Sequence, residues 1–273
     1  MNNIKKIGLS ALAGSLVMTS VNAVEYSMSG NAKVEWASQD HSAGIAATNG
    51  GRGLGVNTDL TLSASGELDN GYTIGFVQVF DTNGALSNTS SQVTVGMGSM
   101  GTLQVNNKFG AKANGIDDVM PAAYNETWDG MALTTDNPSF FGSSTANGSV
   151  DYRIPAMEMM GATINASYTY DGGADVGPAA AGGVTTTSVS GSAVTLEIAH
   201  ESGLSIGGGQ ETIDNGGTTG GDEENVTVYA KFAMGPLTVG MQEAYQNSAN
   251  GGEDNEADFW AVAYTAGDLS VSY

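Results

Sequence analysis

Polar and apolar residues alternate with a period of two along the segment Gly55–Leu68. One parity carries the more apolar positions, which are Val56, Thr58, Leu60, Leu62, Ala64 and Leu68. The other parity carries the polar positions, which are Asn57, Asp59, Thr61, Ser63, Ser65 and Glu67. Because successive side chains of a strand point to opposite faces, this pattern predicts a β-strand with one apolar and one polar face. Asp69-Asn70-Gly71 follows at once and predicts a tight hairpin turn.

Large apolar residues are scarce in the chain. From Val24 onward, 45 of 250 residues are Leu, Ile, Val or Phe, and 6 basic residues against 29 acidic ones give a net charge near −23. Such a composition alone indicates disorder or a very thin core. Two classes of protein can have this composition and still fold: a repetitive secreted β-protein and a membrane β-barrel. The barrel can fold because it needs apolar residues on one face only.

Further alternating segments follow along the chain, and their connections differ in length. Thirteen strands are predicted, at Glu25–Ala37, Gly55–Leu68, from Tyr72 onward, Gln92–Met97, Thr102–Asn107, Ser149–Ile154, Gly161–Tyr170, Ala193–Glu201, Leu204–Glu211, Asn225–Ala233, Leu237–Tyr245, Ala257–Tyr264 and Leu269–Tyr273. Short turns such as Ser202-Gly203 alternate with long polar stretches such as Asp171–Ser192. Bacterial barrels have short periplasmic turns and long extracellular loops. The sequence therefore predicts an all-β fold, a transmembrane antiparallel β-barrel.

The first 23 residues have the features of a secretory signal peptide. Lys5 and Lys6 precede the apolar run Ile7–Val21, and Val21-Asn22-Ala23 places small residues at a cleavage site. We therefore expect an exported mature chain of residues 24–273. The sequence has no cysteine, which excludes disulfides, zinc thiolate sites and thiol chemistry.

Aromatic and polar residues add to the membrane interpretation. Eight aromatic residues lie near predicted strand ends, where amphipathic rings favour the lipid–water interfaces: Tyr26, Trp36, Tyr72, Tyr152, Tyr168, Tyr170, Tyr245 and Tyr264. The opposite parity includes Asn31, Lys33, Glu35, Thr227 and Lys231, which could not fill a dry core. We therefore predict that the interior of the barrel contains water.

Three motifs resemble a known family. Asn147-Gly-Ser-Val-Asp-Tyr-Arg-Ile-Pro155, followed by Gly161 and Tyr168, resembles the strand after the constriction loop of Gram-negative trimeric porins. The segments Glu67–Phe76 and Gly98–Val105 are similar to two hairpins of that family, closest to its alphaproteobacterial members. The resemblance covers essentially the whole mature chain.

The resemblance implies a sixteen-stranded barrel that forms a homotrimer in outer-membrane lipid and lipopolysaccharide, with its third loop folded into the lumen. Only thirteen strands are readable, and Ser270–Tyr273 is the start of a strand where the family has a complete one ending on an aromatic. An open barrel would leave unpaired strand edges in lipid. We therefore expect a chain truncated at its C-terminus rather than a short barrel.

The segment Lys108–Asn147 is the candidate constriction loop, because forty residues without strand periodicity are too many for an ordinary connection. Its carboxylates are Asp117, Asp118, Glu126, Asp129 and Asp136, and its aromatic residues are Tyr124, Trp128, Phe140 and Phe141. The resemblance implies that it folds inward and narrows the pore; the alternative is an extracellular loop over the mouth. We expect the constriction to comprise Asp117, Asp118, Glu126 and Asp129, with Lys33 and Arg153 as the opposing wall.

Charges of the inward parity favour cations. Parity places Lys33, Arg153 and Lys231 inward, against the carboxylates Glu35, Asp59, Glu67, Asp151 and Glu197. Carboxylate rings lower the barrier for cations and raise it for anions. Because the inward parity lacks a file of aromatic residues, we predict a general diffusion porin for small hydrophilic solutes and ions. A substrate-specific channel is the alternative, and a secreted adhesin or surface-layer protein is a third.

No other chemistry is predicted. His41 and His200 sit in no catalytic constellation, so an enzyme is not expected, and neither is a nucleic-acid partner or a required cofactor. Asp222-Glu223-Glu224 could hold a calcium ion weakly through carboxylates. A solvated acidic loop is the favoured interpretation of these three residues.

Overall fold

The structure is a computed structural model that describes residues 24–39, 51–82, 86–107, 113–116, 119–123, 148–172, 174–175, 185–186, 190–214, 221–247 and 254–273. The predicted signal peptide, residues 1–23, lies outside the described residues. The chain divides into two compact units, Met1–Gly98 and Ser99–Tyr273.

Antiparallel strands joined in chain order form the first unit: β1 (Glu25–Gln39), β2 (Gly51–Glu67), β3 (Thr73–Asp81) and β4 (Ser87–Gly96). The turn between β2 and β3 is the predicted Asp69–Gly71 hairpin. Gly71 has a φ of 80°, a conformation that glycine adopts at no steric cost, and the Tyr72 backbone N–H donates to Asn70 Oδ1 at 3.1 Å. This hairpin prediction is confirmed.

The second unit is also antiparallel. Its strands are β5 (Thr102–Asn107), β6 (Ser149–Arg153), β7 (Met157–Met159), β8 (Ala162–Asp171), β9 (Ala174–Asp175), β10 (Thr185–Thr186), β11 (Ser190–His200), β12 (Leu204–Asp214), β13 (Glu223–Met234), β14 (Leu237–Asn247), β15 (Asn255–Ala266) and β16 (Leu269–Ser272). Single 3₁₀ turns occur at Gly98–Met100 and Ala113–Ile116. β8 pairs with β6, β7 and β11, and from β11 to β16 each strand pairs with the next.

All thirteen predicted strands are present, and the differences lie at their ends and in three short additions. β7 continues the pairing of β6 along β8 after Pro155, which has no N–H to donate to the ladder. β9 and β10 pair with each other inside the predicted loop Asp171–Ser192. β1 ends at Gln39 instead of the predicted Ala37, and β2 begins at Gly51 instead of the predicted Gly55. These extra residues pair with each other through their backbones, which does not require apolar side chains.

Apolar side chains of the second unit are exposed, whereas its polar ones are buried. Val194, Leu196 and Val228 are 49%, 50% and 51% exposed, but their neighbours Thr195 and Thr227 are 4% and 0% exposed. We call the two sides of the sheet the apolar face and the polar face. Soluble proteins have the opposite distribution. Among the residues that the structure describes, no helix is long and apolar enough to cross a membrane.

Candidate functional site

The described part of the Lys108–Asn147 segment packs on the polar face of the second unit. We call residues 113–116 and 119–123 the docked segment. Ala113 and Ile116 are fully buried, and Val119 and Met120 are nearly so. They form one apolar cluster with residues of the strands, which are Ala193, Tyr229, Ala261 and the partly buried Phe259. A small apolar core thus lies on a face that is otherwise polar.

Hydrogen bonds hold the backbone of the docked segment to three strands. Gln242 Nε2 on β14 donates to the Ile116 carbonyl oxygen at 3.1 Å. Lys231 Nζ on β13 donates to the Val119 carbonyl oxygen at 3.5 Å and lies 5.8 Å from the centre of the Tyr229 ring. The Ala123 backbone N–H donates to Ser272 Oγ on β16 at 2.9 Å. The docked segment therefore runs across the polar face from β13 to β16.

Gly240 on β14 allows the closest approach of the docked segment to the sheet. A Cβ atom at this position would lie 2.6 Å from Pro121 Cδ and 3.2 Å from Met120 Cε. Real Cβ contacts are essentially never that short, so any larger residue must displace the docked segment or the strand.

Substitution of Gly240 should loosen the docked segment. In Gly240→Leu we expect overpacking to cost about 1–3 kcal/mol of docking free energy. Backbone amides of 119–123 should then exchange hydrogen about tenfold faster or more, since 1.4 kcal/mol is about a factor of ten. Hydrogen exchange followed by mass spectrometry measures this. Gly55→Leu is the control, because a Cβ at Gly55 has nothing within 4 Å; equal exchange in both variants would contradict the assigned contact.

Arg153 is held by a buried carboxylate on its own strand. Arg153 Nε lies 2.7 Å from Asp151 Oδ2, and Thr169 Oγ1 on β8 donates to Asp151 Oδ1 at 2.8 Å. The Asp151 side chain is 0% exposed, whereas that of Arg153 is 34% exposed. Parity predicted both residues on the polar face, as observed. The structure adds that they form an ion pair, which fixes the guanidinium.

Of the other predicted constriction residues, the structure describes Lys33 alone. Lys33 is exposed on β1 in the first unit, on the parity opposite to Val34 and Trp36. Asp117, Asp118, Glu126 and Asp129 lie outside the described residues. Their roles in a constriction stay predictions.

Comparison with known proteins identifies the family. The sequence model of the Gram-negative porins matches residues 8–273, nearly the full length of the chain. The chain belongs to the Gram-negative porin family.

Solved structures agree on the fold of this porin. OmpT without its loop L8, an outer-membrane protein of Vibrio cholerae, matches with a TM-score of 0.50 and 11% identity over 93% of this chain and 92% of that chain. An anion-selective porin from Comamonas acidovorans matches with a TM-score of 0.57 and 16% identity over 91% of this chain and 78% of that chain. Such low identity shows the fold alone. No curated protein sequence matches the chain significantly.

Family and fold together establish what surrounds the apolar face and the polar face. The porin is an antiparallel transmembrane β-barrel protein of the bacterial outer membrane, and a channel rather than an enzyme. In such barrels the apolar side chains face lipid and the alternate, polar ones face the lumen. The exposed residues of the apolar face, such as Tyr168 and Tyr170, have the exposure that lipid contact requires.

The acidic triplet Asp222–Glu224, interpreted above as a solvated loop with weak calcium binding as the alternative, lies partly in a strand. Glu223 and Glu224 belong to β13 rather than to a loop, so they point to opposite faces of the sheet. Glu223 accepts hydrogen bonds on the polar face from Asn225 and Gln246, and Glu224 accepts one from Gln210 on the apolar face. Asp222, Glu223 and Glu224 therefore cannot bind one ion together.

Sequence reasoning did not single out the porin residues that anchor the docked segment. Gln242, Gly240 and Ser272 lie within predicted strands and belong to no motif. One signal was available: an isolated glycine inside a strand, as in Leu237-Thr-Val-Gly-Met241, indicates a close backbone approach. No comparable signal marks Gln242 or Ser272.

Proposed function

We propose that this porin is a general diffusion channel for small hydrophilic solutes and ions, and that it prefers cations. The observation that carries the proposal is the charge of the polar face. In the second unit the described cations of this face are Arg153 and Lys231. They stand against six carboxylates: Asp151, Glu158, Asp171, Glu197, Glu211 and Glu223.

The surplus remains when the pairs are counted. Arg153 and Asp151 cancel each other, and Lys231, which keeps its charge while it donates to the Val119 carbonyl oxygen, stands against the five carboxylates that are left. A surplus of carboxylates in a low-dielectric wall focuses a negative potential where the channel is narrowest. That potential attracts cations and repels anions.

We further propose that the docked segment belongs to the constriction of the pore. Its cluster with Tyr229 and Phe259 places apolar bulk on the lumen face, and three strands hold its backbone. In this proposal Asp117, Asp118, Glu126 and Asp129 add carboxylates to the narrow part, with Lys33 and Arg153 as cations of the wall. An extracellular loop over the mouth would not require these contacts.

Non-specific passage is supported by the position of the aromatic residues. Among the described residues of the second unit, Tyr229 and Phe259 are the aromatic ones on the polar face, and both pack against the docked segment. They are thus covered instead of forming a file along the lumen. The polar face offers hydroxyl, amide and carboxylate groups, which suit hydrated solutes in general.

Reversal potentials across a KCl gradient in planar bilayers test the cation preference. At 0.1 M salt we expect potassium to pass severalfold more readily than chloride. The preference should weaken at 1 M, because the Debye length falls from about 10 Å to about 3 Å. Combined substitution of Asp117, Asp118 and Asp129 by Asn and of Glu126 by Gln should shift the potential towards anions. Glu243→Gln on the apolar face should leave it unchanged. Anion selectivity of the wild type at low salt would refute the proposal.

We also propose that the porin is a homotrimer in contact with outer-membrane lipid and lipopolysaccharide. The support is the family resemblance of the Asn147–Pro155 motif. The protein should migrate at about three times the monomer mass in mild detergent and convert to monomers on heating. Light scattering of the detergent complex measures the mass; a monomer before heating would contradict the proposal.

A further inference from the structure

One row of side chains crosses the polar face of the second unit beside the docked segment. Register places Tyr229 on β13 opposite Gln242 on β14, and Gln242 opposite Phe259 on β15. On its other side Tyr229 lies opposite Gly207 on β12, and Gly207 lies opposite Glu197 on β11. Tyr229 and Phe259 contact the docked segment through the apolar cluster, and Gln242 through its hydrogen bond. Glu197 therefore lies in the row that carries these contacts.

The hydroxyl of Tyr229 holds the Glu197 carboxylate from two strands away. Tyr229 Oη donates to Glu197 Oε2 at 2.8 Å. The ring crosses β12 at Gly207, where a Cβ atom would lie 2.7 Å from Tyr229 Cε1 and 2.8 Å from its Oη. Because real Cβ contacts are essentially never that short, any larger residue at this position must lift the ring off the strand. The glycine thus allows a side chain of β13 to reach β11.

Exposure and position separate Glu197 from the other described carboxylates of the polar face in the second unit. Three of those are buried, so water in the lumen hardly reaches them: Asp151, Asp171 and Glu211. Glu158 lies on β7 beside a short turn, and Glu223 is the first residue of β13, at its loop end. Glu197 is partly exposed and lies in the row beside the docked segment.

We propose that Glu197 is the residue of the barrel wall that sets ion selectivity beside the docked segment, and that Tyr229, seated on Gly207, positions its carboxylate. The inference rests on the proposed function, in which the docked segment narrows the pore. A carboxylate attracts cations and repels anions along the path that it faces. The low-dielectric wall focuses this potential where the path is narrowest. The bond from Tyr229 fixes the carboxylate without cancelling its charge, because a hydroxyl donor is neutral.

Reversal potentials of Glu197→Gln in planar bilayers test the proposal. Glutamine keeps an oxygen that accepts from Tyr229, so the variant loses the charge and retains the hydrogen bond. In KCl of about 0.01 M, where the Debye length is about 30 Å, the permeability ratio of potassium to chloride should fall about twofold or more. One charge about 10 Å away changes the occupancy of an ion about twofold even in water. Hydrogen exchange of residues 119–123 should match wild type.

Glu223→Gln is the matched control. It removes the same charge from the polar face, but six residues from Tyr229, which is about 20 Å along β13. Its shift should be smaller than that of Glu197→Gln. Equal shifts would show that the whole wall sets selectivity and would overturn the assignment, and so would a wild-type ratio in Glu197→Gln. An anion-selective wild type refutes the proposed cation preference instead, because the assignment of Glu197 concerns the difference between variant and wild type.

Tyr229→Phe tests the positioning role, because it removes the hydroxyl and keeps the ring in the apolar cluster. The ratio should fall, but less than in Glu197→Gln, since the charge remains and is no longer held. Gly207→Ala should lower the ratio in the same way by lifting the ring. Combined with Glu197→Gln, Tyr229→Phe should change the ratio no further, because the hydroxyl acts through the carboxylate. Wild-type ratios in Tyr229→Phe and Gly207→Ala, or a further fall in the double variant, would overturn this role.

Discussion

Deletion of Ala113–Thr135 should raise the single-channel conductance severalfold. The docked segment covers Tyr229, Phe259 and Ala193 on the lumen face, and its removal leaves that space to water. The strands should remain folded, because the ladders from β11 to β16 involve no residue of the deleted segment. Conductance of single channels in planar bilayers, compared with circular dichroism of the same preparation, measures both effects.

A deletion in another loop provides the control for conductance. Removal of Gly216–Gly220, in the polar connection between β12 and β13, shortens the chain outside the docked segment and should leave conductance close to wild type. If the larger deletion also leaves conductance unchanged, the segment lies outside the permeation path and the proposed constriction is wrong. Gly240→Leu should show a smaller rise in conductance than the deletion.

Substitution of Arg153 should cause the largest loss of stability among single changes on the polar face. In Arg153→Gln the Asp151 carboxylate, which is 0% exposed, loses its cation and keeps the hydrogen bond from Thr169. Removal of one partner from a buried pair costs about 3–5 kcal/mol. Because the guanidinium is 34% exposed, we expect about 2–4 kcal/mol here. The midpoint of urea unfolding in lipid vesicles, followed by tryptophan fluorescence, measures the loss.

The double variant identifies the cause. Asp151→Asn combined with Arg153→Gln leaves no charge at this pair, so it should recover most of the stability that the single variant loses. A double variant as unstable as Arg153→Gln would show that the guanidinium acts through packing and not through the pair. Selectivity gives a second readout, because Arg153→Gln should also increase the preference for cations.

The strands and their faces could be predicted from the sequence because a period of two is a local signal. Val194, Thr195 and Leu196 alternate along the chain, and the same alternation decides which residue faces lipid. The same logic placed Asp151, Arg153 and Lys231 on the polar face without any knowledge of their neighbours. The loop-side ends of β1 and β12 were missed, since Ser38, Gln39 and Asp214 pair through backbone atoms and carry no apolar alternation.

Contacts between distant residues were decided by the tertiary structure alone. Ile116 bonds to a residue 126 positions away, and Ala123 to one 149 positions away. Gly240 signals a close backbone approach but does not indicate which segment makes it, so no local pattern could show where the docked segment lies. The same holds for the amide of Asn225, which meets Glu211 only because the register of β12 and β13 sets them opposite each other. A shift of that register by one residue would move Asn225 opposite a side chain of the other face. Alternation thus determined which face each side chain occupies, whereas the pairing register and the path of the docked segment determined what it touches there.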